Sequence, residues 1–125
     1  MTAGVVFAIL GAGAIGAVLR YLTARAFASH KRFPWAVLVV NVVGSALGGT
    51  LAGLAHLGTI DANLEIILLT GLCGGLTTFS TLSVETMQNV SLKRMRVAVI
   101  SVLANLVGGI GVAAATYFGL IALAS

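Results

Sequence analysis

Four long runs without Asp, Glu, Lys or Arg constrain this chain more than any other feature. They cover residues 2–19, 33–60, 66–84 and 97–125. Each run is long enough for a helix that crosses a membrane, which needs about 20 residues at a rise of about 1.5 Å per residue. Strict alternation of polar and apolar residues is absent, so a membrane β-barrel is not expected. We therefore predict an all-α membrane protein whose single domain, residues 1–125, has four transmembrane helices near residues 3–24, 34–56, 63–89 and 97–122.

The composition agrees with a membrane protein and excludes several other classes. Hydrophobic residues make up 59% of the chain and charged residues 8%, whereas soluble domains are about half apolar and a quarter charged. An ordinary soluble enzyme, a disordered chain and a typical nucleic-acid-binding protein are therefore excluded. The single cysteine, Cys73, rules out an intramolecular disulfide and a thiolate metal cluster. With three acidic residues and two remote histidines, neither enzymatic activity nor an organic cofactor is expected.

Basic residues are concentrated in two of the three predicted loops. With four spans, the first and third loops lie on the same side of the membrane. The opposite side has Asp61 and Glu65 but neither Lys nor Arg. The positive-inside rule then places both termini outside and the basic loops in the cytoplasm of a multi-pass cell-membrane protein. The six basic residues are Arg25, Lys31, Arg32, Lys93, Arg94 and Arg96.

Glycines inside the spans indicate close helix packing. Gly44–Gly48 and Gly49–Gly53 each form a G-x-x-x-G pair, and Gly108, Gly109 and Gly111 give the fourth helix a patch of small residues. Small residues allow helix backbones to approach in lipid, where no hydrophobic force drives helices together.

The third span contains glycines of a different kind. Gly71, Gly74 and Gly75 lie in mid-span, just before Thr77 and Thr78. Paired glycines followed by β-branched polar residues are poor helix formers, so we predict a break between Gly74 and Thr77. Backbone groups freed at that depth must be buried in protein or wetted, as in transporters and channels.

Five hydroxyl groups follow this predicted break within residues 77–83. The spacing of Thr78, Thr81 and Glu85 places them on one helix face. The hydroxyls either bond back to carbonyls one turn earlier or form a polar pathway, which we favour for a group of this size. Hydroxyl and amide donors and the positive edge of the Phe79 ring suit a small anion. A cation pathway requires circles of acidic side chains or rows of backbone carbonyls.

Three further polar residues lie within or near the spans. Asn41 suits either an interhelical hydrogen bond or a role in a pore, and the sequence leaves both open. Arg20 either extends to the membrane surface or places a positive charge at a pore mouth. Asn105 in the fourth helix is expected to bond to a neighbouring helix.

These residues together resemble the CrcB/Fluc fluoride channels across three of the four spans. The resemblance implies an antiparallel, dual-topology dimer with two fluoride pores at the subunit interface, through which fluoride leaves the cytoplasm passively. It also implies a structural sodium ion at the dimer centre, held by the backbone carbonyls of Gly74 and Thr77. The matching motifs are Gly16-Ala17-x-x-Arg20-Tyr21, Asn41-x-x-Gly44 and Gly71-x-x-Gly74-Gly75-x-Thr77-Thr78-Phe79-Ser80-Thr81.

The resemblance also assigns roles to individual residues. Asn41, Phe79 and Thr78 would line the pores, Arg20 would lie near an aqueous vestibule that Glu85 also faces, and the hydroxyl track would comprise Ser80, Thr81 and Ser83. The family's usual Phe-Ser-Thr-Phe pattern ends here in Leu82, which has no polarised ring edge to offer the pore.

The charge bias favours one fixed orientation, whereas an antiparallel homodimer needs the same chain inserted both ways. The partner subunit is therefore either the same chain or a paired homologue of opposite topology.

Two other functions compete with a fluoride channel. A small multidrug-type exporter needs a carboxylate inside the membrane, usually in the first helix, and this helix has none. A membrane assembly subunit without transport activity would tolerate substitution of Asn41, Thr78 and Phe79.

Overall fold

The computed structural model describes residues 1–30 and 32–125, and the regular secondary structure of those residues is entirely helical. Four helical stretches are long and apolar enough to cross a membrane: Ala3–Ala26, Trp35–His56, Ala62–Ser91 and Met95–Ala124. The prediction of an all-α protein with four transmembrane helices is confirmed. In chain order the elements are α1 (Ala3–Ala26), α2 (Trp35–His56), α3 (Ala62–Ile66), a π-helical segment (Ile67–Cys73), α4 (Gly74–Leu76), α5 (Ser80–Ser91) and α6 (Met95–Ala124).

Local signals explain where several helices begin. The Thr2 hydroxyl accepts a hydrogen bond from the Val5 N–H at 3.2 Å, and the Asp61 carboxylate accepts one from the Leu64 N–H at 2.7 Å. Both side chains pair backbone donors that the first turn of a helix leaves free. Pro34 directly precedes α2, at a position where its missing N–H costs nothing.

Large apolar side chains point outward over the whole molecule. Phe7 is 72% exposed and Leu123 is 87% exposed, whereas the buried apolar residues are few and mostly small, such as Val40 and Ala98. A soluble domain buries its large apolar side chains, whereas this chain exposes them. Such a surface is stable when it is surrounded by the hydrocarbon tails of lipids. The chain is therefore a multi-pass membrane protein.

Glycines mark the closest helix contacts, as predicted. α1 packs against the π-helical segment and α4, while α2 packs along α6. A Cβ atom at Gly16 would overlap the Leu72 carbonyl, and one at Gly75 would overlap the Gly13 carbonyl. The predicted patch on the fourth helix is only partly used within this chain, because a Cβ atom at Gly111 would meet nothing within 4 Å.

The third span is interrupted at the end of the predicted range, Gly74 to Thr77. Gly74 and Gly75 remain helical, and the backbone turns extended at Thr77 (φ −80°, ψ 160°) before α5 begins at Ser80. Gly75 serves the close approach to α1, and the threonines that follow mark the break. The π-helical segment just before it was not foreseen; such segments are rare and frequent at functional sites.

The first and third loops lie at the same end of the molecule. Residues of both loops, including His30, Phe33 and Arg94, line one cavity of about 300 Å³, which we call the loop-side cavity. The predicted placement of these two loops on one side is confirmed. Lys31, one of the six basic residues, lies outside the described residues.

The contact at Gly16 gives a test of the packing. We expect Gly16→Ala to lower the free energy of unfolding by about 1–3 kcal/mol, because the added methyl group pushes α1 away from backbone that cannot yield. Gly11→Ala is the matched control on the same helix, where a Cβ atom meets nothing within 4 Å. Unfolding of the purified protein in detergent measures both variants, and equal losses would contradict this packing.

Candidate functional site

The side chain of Asn41 bridges the interruption in the third span. Its Oδ1 accepts a hydrogen bond from the Thr78 N–H at 2.8 Å, and its Nδ2 donates to the Thr78 carbonyl at 3.1 Å. One side chain thus pairs both backbone groups of one residue. Unpaired groups at this depth would cost several kcal/mol each, so Asn41 stabilises the broken conformation.

The network continues from Asn41 to α6. Asn41 Nδ2 also donates to Asn105 Oδ1 at 2.8 Å, and Asn105 Nδ2 donates to the Ser101 carbonyl at 2.8 Å. The expected interhelical hydrogen bonds of both asparagines are confirmed. The bonds leave Asn41 half-buried at the wall of a groove, so a role in a pore stays compatible with them.

Thr78 caps the second half of the span. Its Oγ1 accepts from the Thr81 N–H at 3.1 Å, donates to Thr81 Oγ1 at 3.0 Å and lies 3.3 Å from Ser80 Oγ. This is the usual pairing of an N-cap hydroxyl with the N–H three residues later. The capping brings three hydroxyls together, which we call the hydroxyl cluster: Thr78, Ser80 and Thr81.

The other two hydroxyls bond back to the preceding turn. Thr77 Oγ1 donates to the Cys73 carbonyl at 2.9 Å, and Ser83 Oγ donates to the Phe79 carbonyl at 2.9 Å. Ser83 lies on a separate surface with Val84 and Met87. The structure therefore brings Ser80 and Thr81 of the predicted hydroxyl track together with Thr78, and it places Ser83 apart from them.

An open groove of about 390 Å³ runs beside the interruption. At the edge of this groove the Phe79 side chain is 82% exposed, although Phe79 lies in the middle of a membrane span. Ser45, four residues after Asn41, also lines the groove and was not foreseen, although this spacing places the two on one helix face. The polar and aromatic lining comprises Asn41, Ser45, Thr77, Thr78, Phe79 and Asn105, with Leu82 beside them.

A second cavity of about 320 Å³ lies on the other side of Thr78. Arg20, Thr78, Thr81 and Glu85 line it, so the predicted shared face of Thr78, Thr81 and Glu85 is confirmed. Glu85 also lines the loop-side cavity, and its Oε2 is buried without a hydrogen-bond partner among the described residues. The loop-side cavity, the second cavity and the groove therefore follow one another, sharing Glu85 and then Thr78 as walls.

The interruption also frees backbone carbonyl oxygens. In a continuous helix the Thr78 N–H would pair with the Gly74 carbonyl, and the Thr81 N–H with the Thr77 carbonyl. Here the two N–H groups donate to Asn41 Oδ1 and to Thr78 Oγ1 instead. The Gly74 and Thr77 carbonyls are thus left as neutral oxygen donors of the kind that hard cations bind. Among the described residues, no group of three or more His, Cys, Asp or Glu is placed to hold a metal ion.

The pairing of Asn41 with Thr78 can be tested by removing the amide. We expect Asn41→Leu to lower the free energy of unfolding by about 1–3 kcal/mol, because the N–H and carbonyl of Thr78 lose their partner. Thr50→Val is the matched control on the same helix, since the Thr50 hydroxyl only bonds back to the Ala46 carbonyl. If unfolding in detergent shows the same stability for both variants, Asn41 does not hold the break.

Comparison with known proteins agrees with this architecture. Residues 6–120 match the family model described as CrcB-like protein, Camphor Resistance (CrcB). A fluoride-specific ion channel, FluC 2 of Rhodococcus jostii, is 39% identical over 101 residues, which cover 81% of this chain and 85% of that protein. FluC 1 of Streptomyces avermitilis, also a fluoride-specific ion channel, is 37% identical over 84% of this chain and 86% of its own length.

A third relative extends the same pattern. The fluoride-specific ion channel FluC of Erwinia tasmaniensis is 40% identical over 105 residues, covering 82% of this chain and 84% of that protein. The matched residues include all four spans and the interruption with its hydroxyl cluster. By the extent of these matches, the chain is a member of the CrcB-like family.

Proposed function

We propose that this chain forms a fluoride-selective channel of the cell membrane, which lets fluoride leave the cytoplasm down its gradient. The relatives that match most of its length are named as fluoride-specific ion channels, so this is transport and not enzyme catalysis. The observation that carries the proposal is the series of cavities with shared walls. It leads from the loop-side cavity past Glu85 and the hydroxyl cluster to the groove at Phe79.

The chemistry of this series suits fluoride. Fluoride is small and strongly hydrated, so a selective pore has to replace its water with closely spaced donors. The hydroxyl cluster places three hydroxyls within about one helical turn, with the Thr78 O–H donated to Thr81 Oγ1. The exposed Phe79 ring offers its positive edge. Arg20 lies in the second cavity, where a positive charge within low-dielectric walls raises the local concentration of anions.

A second subunit completes this site in our proposal. The groove is open on the surface of the single chain, and Phe79 projects from it almost fully exposed. Asn41, Ser45 and Thr78 contribute polar atoms to the groove. Exposing such atoms to lipid is unfavourable, because polar groups in hydrocarbon find no partners. We therefore propose that an antiparallel partner covers the groove and that the pathway runs along the resulting interface.

A sodium ion at the centre of that dimer fits the residues present. The Gly74 and Thr77 carbonyls lose their helical donors at the break, and Gly74 is exposed on the surface of the chain. Two subunits would together contribute four neutral oxygens. A site without carboxylates favours a monovalent cation over Ca²⁺ or Mg²⁺, and the bound ion would supply charge that holds the two interrupted helices together.

The partner in cells is, in our proposal, a related chain of opposite orientation. Six basic residues are found in the first and third loops and in the helix turns that adjoin them, and the opposite side has no Lys or Arg. Inserting those loops the other way would oppose the positive-inside bias. Leu82 lines the groove where the family's usual pattern has phenylalanine, and an inverted homologue would contribute the missing ring edge.

The role of Phe79 gives a direct test of the pathway. We expect Phe79→Ile to reduce fluoride efflux from proteoliposomes to the level of protein-free liposomes, because isoleucine keeps the bulk but removes the polarised ring edge. Phe7→Ile is the matched control, an exposed ring on α1 outside all three cavities. A fluoride electrode measures both rates. Wild-type efflux in folded Phe79→Ile protein would contradict the proposed pathway.

Orientation is tested separately in intact cells. Single cysteines are placed at Ser29 in the first loop and at Thr59 in the second, both exposed, after Cys73 is replaced by alanine. Because of the charge bias, we expect a membrane-impermeant thiol reagent to label position 59 at least tenfold more than position 29. Comparable labelling of both positions from outside would show insertion in both orientations and would remove the argument for an inverted homologue.

A further inference from the structure

We infer that Asn105 is a positioning residue for the proposed pathway: it orients the amide of Asn41 and, through it, the backbone and hydroxyl of Thr78. Asn105 is 8% exposed and receives the Asn41 Nδ2 donor on its Oδ1 at 2.8 Å. Its own Nδ2 donates to the Ser101 carbonyl at 2.8 Å. The effect on transport rests on the proposed function. The orientation of Asn41 by Asn105 rests on the hydrogen-bond network alone.

The α6 end of this network requires the same Asn41 orientation as the Thr78 backbone at the other end. An asparagine amide turned by 180° has nearly the same shape, but its donor and acceptor exchange places. The Ser101 carbonyl can only accept, so Asn105 directs its NH₂ group there and leaves its oxygen facing α2. The Asn41 NH₂ group then faces Asn105, and the Asn41 oxygen remains for the Thr78 N–H.

A reversed Asn41 amide would lose all three of its hydrogen bonds in the network. Its oxygen would face the Asn105 oxygen and the Thr78 carbonyl, and its NH₂ group would face the Thr78 N–H. A buried donor or acceptor left without a partner destabilises the structure by the full free energy of its lost hydration. Asn105 therefore favours the one orientation of Asn41 that holds the Thr78 backbone, from which the hydroxyl cluster is built.

The hydrogens of Asn41 are already committed in this arrangement. Its NH₂ group has two hydrogens, and the acceptors are the Thr78 carbonyl and Asn105 Oδ1. Asn41 thus offers a passing anion no free donor unless one of these bonds breaks. Its contribution, and that of Asn105 behind it, is to place the Thr78 hydroxyl, which lines both the groove and the second cavity.

A double-mutant cycle on fluoride efflux tests whether Asn105 acts through Asn41. Loss of one such hydrogen bond predicts that Asn105→Ala slows initial efflux about three- to tenfold. In the Asn41→Ala background, Asn105→Ala should cause no further loss, because the residue it orients is absent. Thr116→Ala is the control on α6, where the hydroxyl bonds back to the Val112 and Ala113 carbonyls of its own helix, and it should keep wild-type efflux.

Hydrogen exchange of the Thr78 amide provides a readout that does not depend on transport. We expect Asn105→Ala to accelerate this exchange by NMR about as much as Asn41→Ala does, and Thr116→Ala to leave it unchanged. If Asn105→Ala does not fold, Asn105→Ser replaces it, because a serine hydroxyl bonds back to the Ser101 carbonyl and is too short to reach Asn41.

The two readouts separate this inference from the proposed function. Losses of efflux that add in the double variant, or a Thr78 amide that is unaffected by Asn105→Ala, would overturn the positioning role. Wild-type protein that transports no fluoride, combined with accelerated Thr78 exchange in Asn105→Ala, would refute the proposed function and still support the positioning of Asn41 by Asn105.

Discussion

The pairing of Asn41 with the backbone of Thr78 is the interaction on which the rest of the structure depends. A helix interrupted inside a membrane leaves N–H and carbonyl groups without water, and each must find a partner in the protein. Asn41 pairs with both groups of Thr78, and the Thr78 hydroxyl in turn caps α5. The break therefore exists at low cost, and it exposes Phe79 and gathers the hydroxyl cluster at mid-membrane.

Close backbone packing elsewhere holds the two halves of the span in place. Gly16 and Gly75 let α1 approach the first half to backbone contact, and Gly49 does the same between α2 and α6. Because α2 carries Asn41 and α6 carries Asn105, the fit of these two helices sets the geometry of the amide network. Small residues with no chemistry of their own thus determine where the polar groups of the proposed pathway lie.

The sequence was sufficient to predict the architecture because its strongest signals are local. Uncharged runs and loop charges specify four helices and their order across the membrane, and the run from Gly74 to Ser83 indicates an interrupted helix with a polar face. The predicted range of the break, Gly74 to Thr77, includes its first residue, Thr77, but also two glycines that stay helical, since glycines that serve close contact look the same in sequence as glycines that end a helix. The contact of Gly75 with Gly13 distinguishes the two cases.

Hydrogen bonds between residues far apart in the chain could not be predicted from these local signals. Asn41 and Thr78 are 37 residues apart and Asn41 and Asn105 are 64 apart, so only the packed helices reveal that they form one network. The separation of Ser83 from the hydroxyl cluster has a similar origin, because its hydroxyl is used by the Phe79 carbonyl in its own helix. A list of polar residues in a span does not show which donors are already committed.

Selective anion flux through the unmodified chain is the most direct test of the account. Purified protein is reconstituted alone into liposomes, where insertion in either orientation permits antiparallel pairing, and efflux of fluoride and of chloride is followed with ion-selective electrodes. The account predicts rapid fluoride efflux, with chloride release at the rate of protein-free liposomes. Equal rates for the two anions, or fluoride release no faster than from protein-free liposomes, would contradict it.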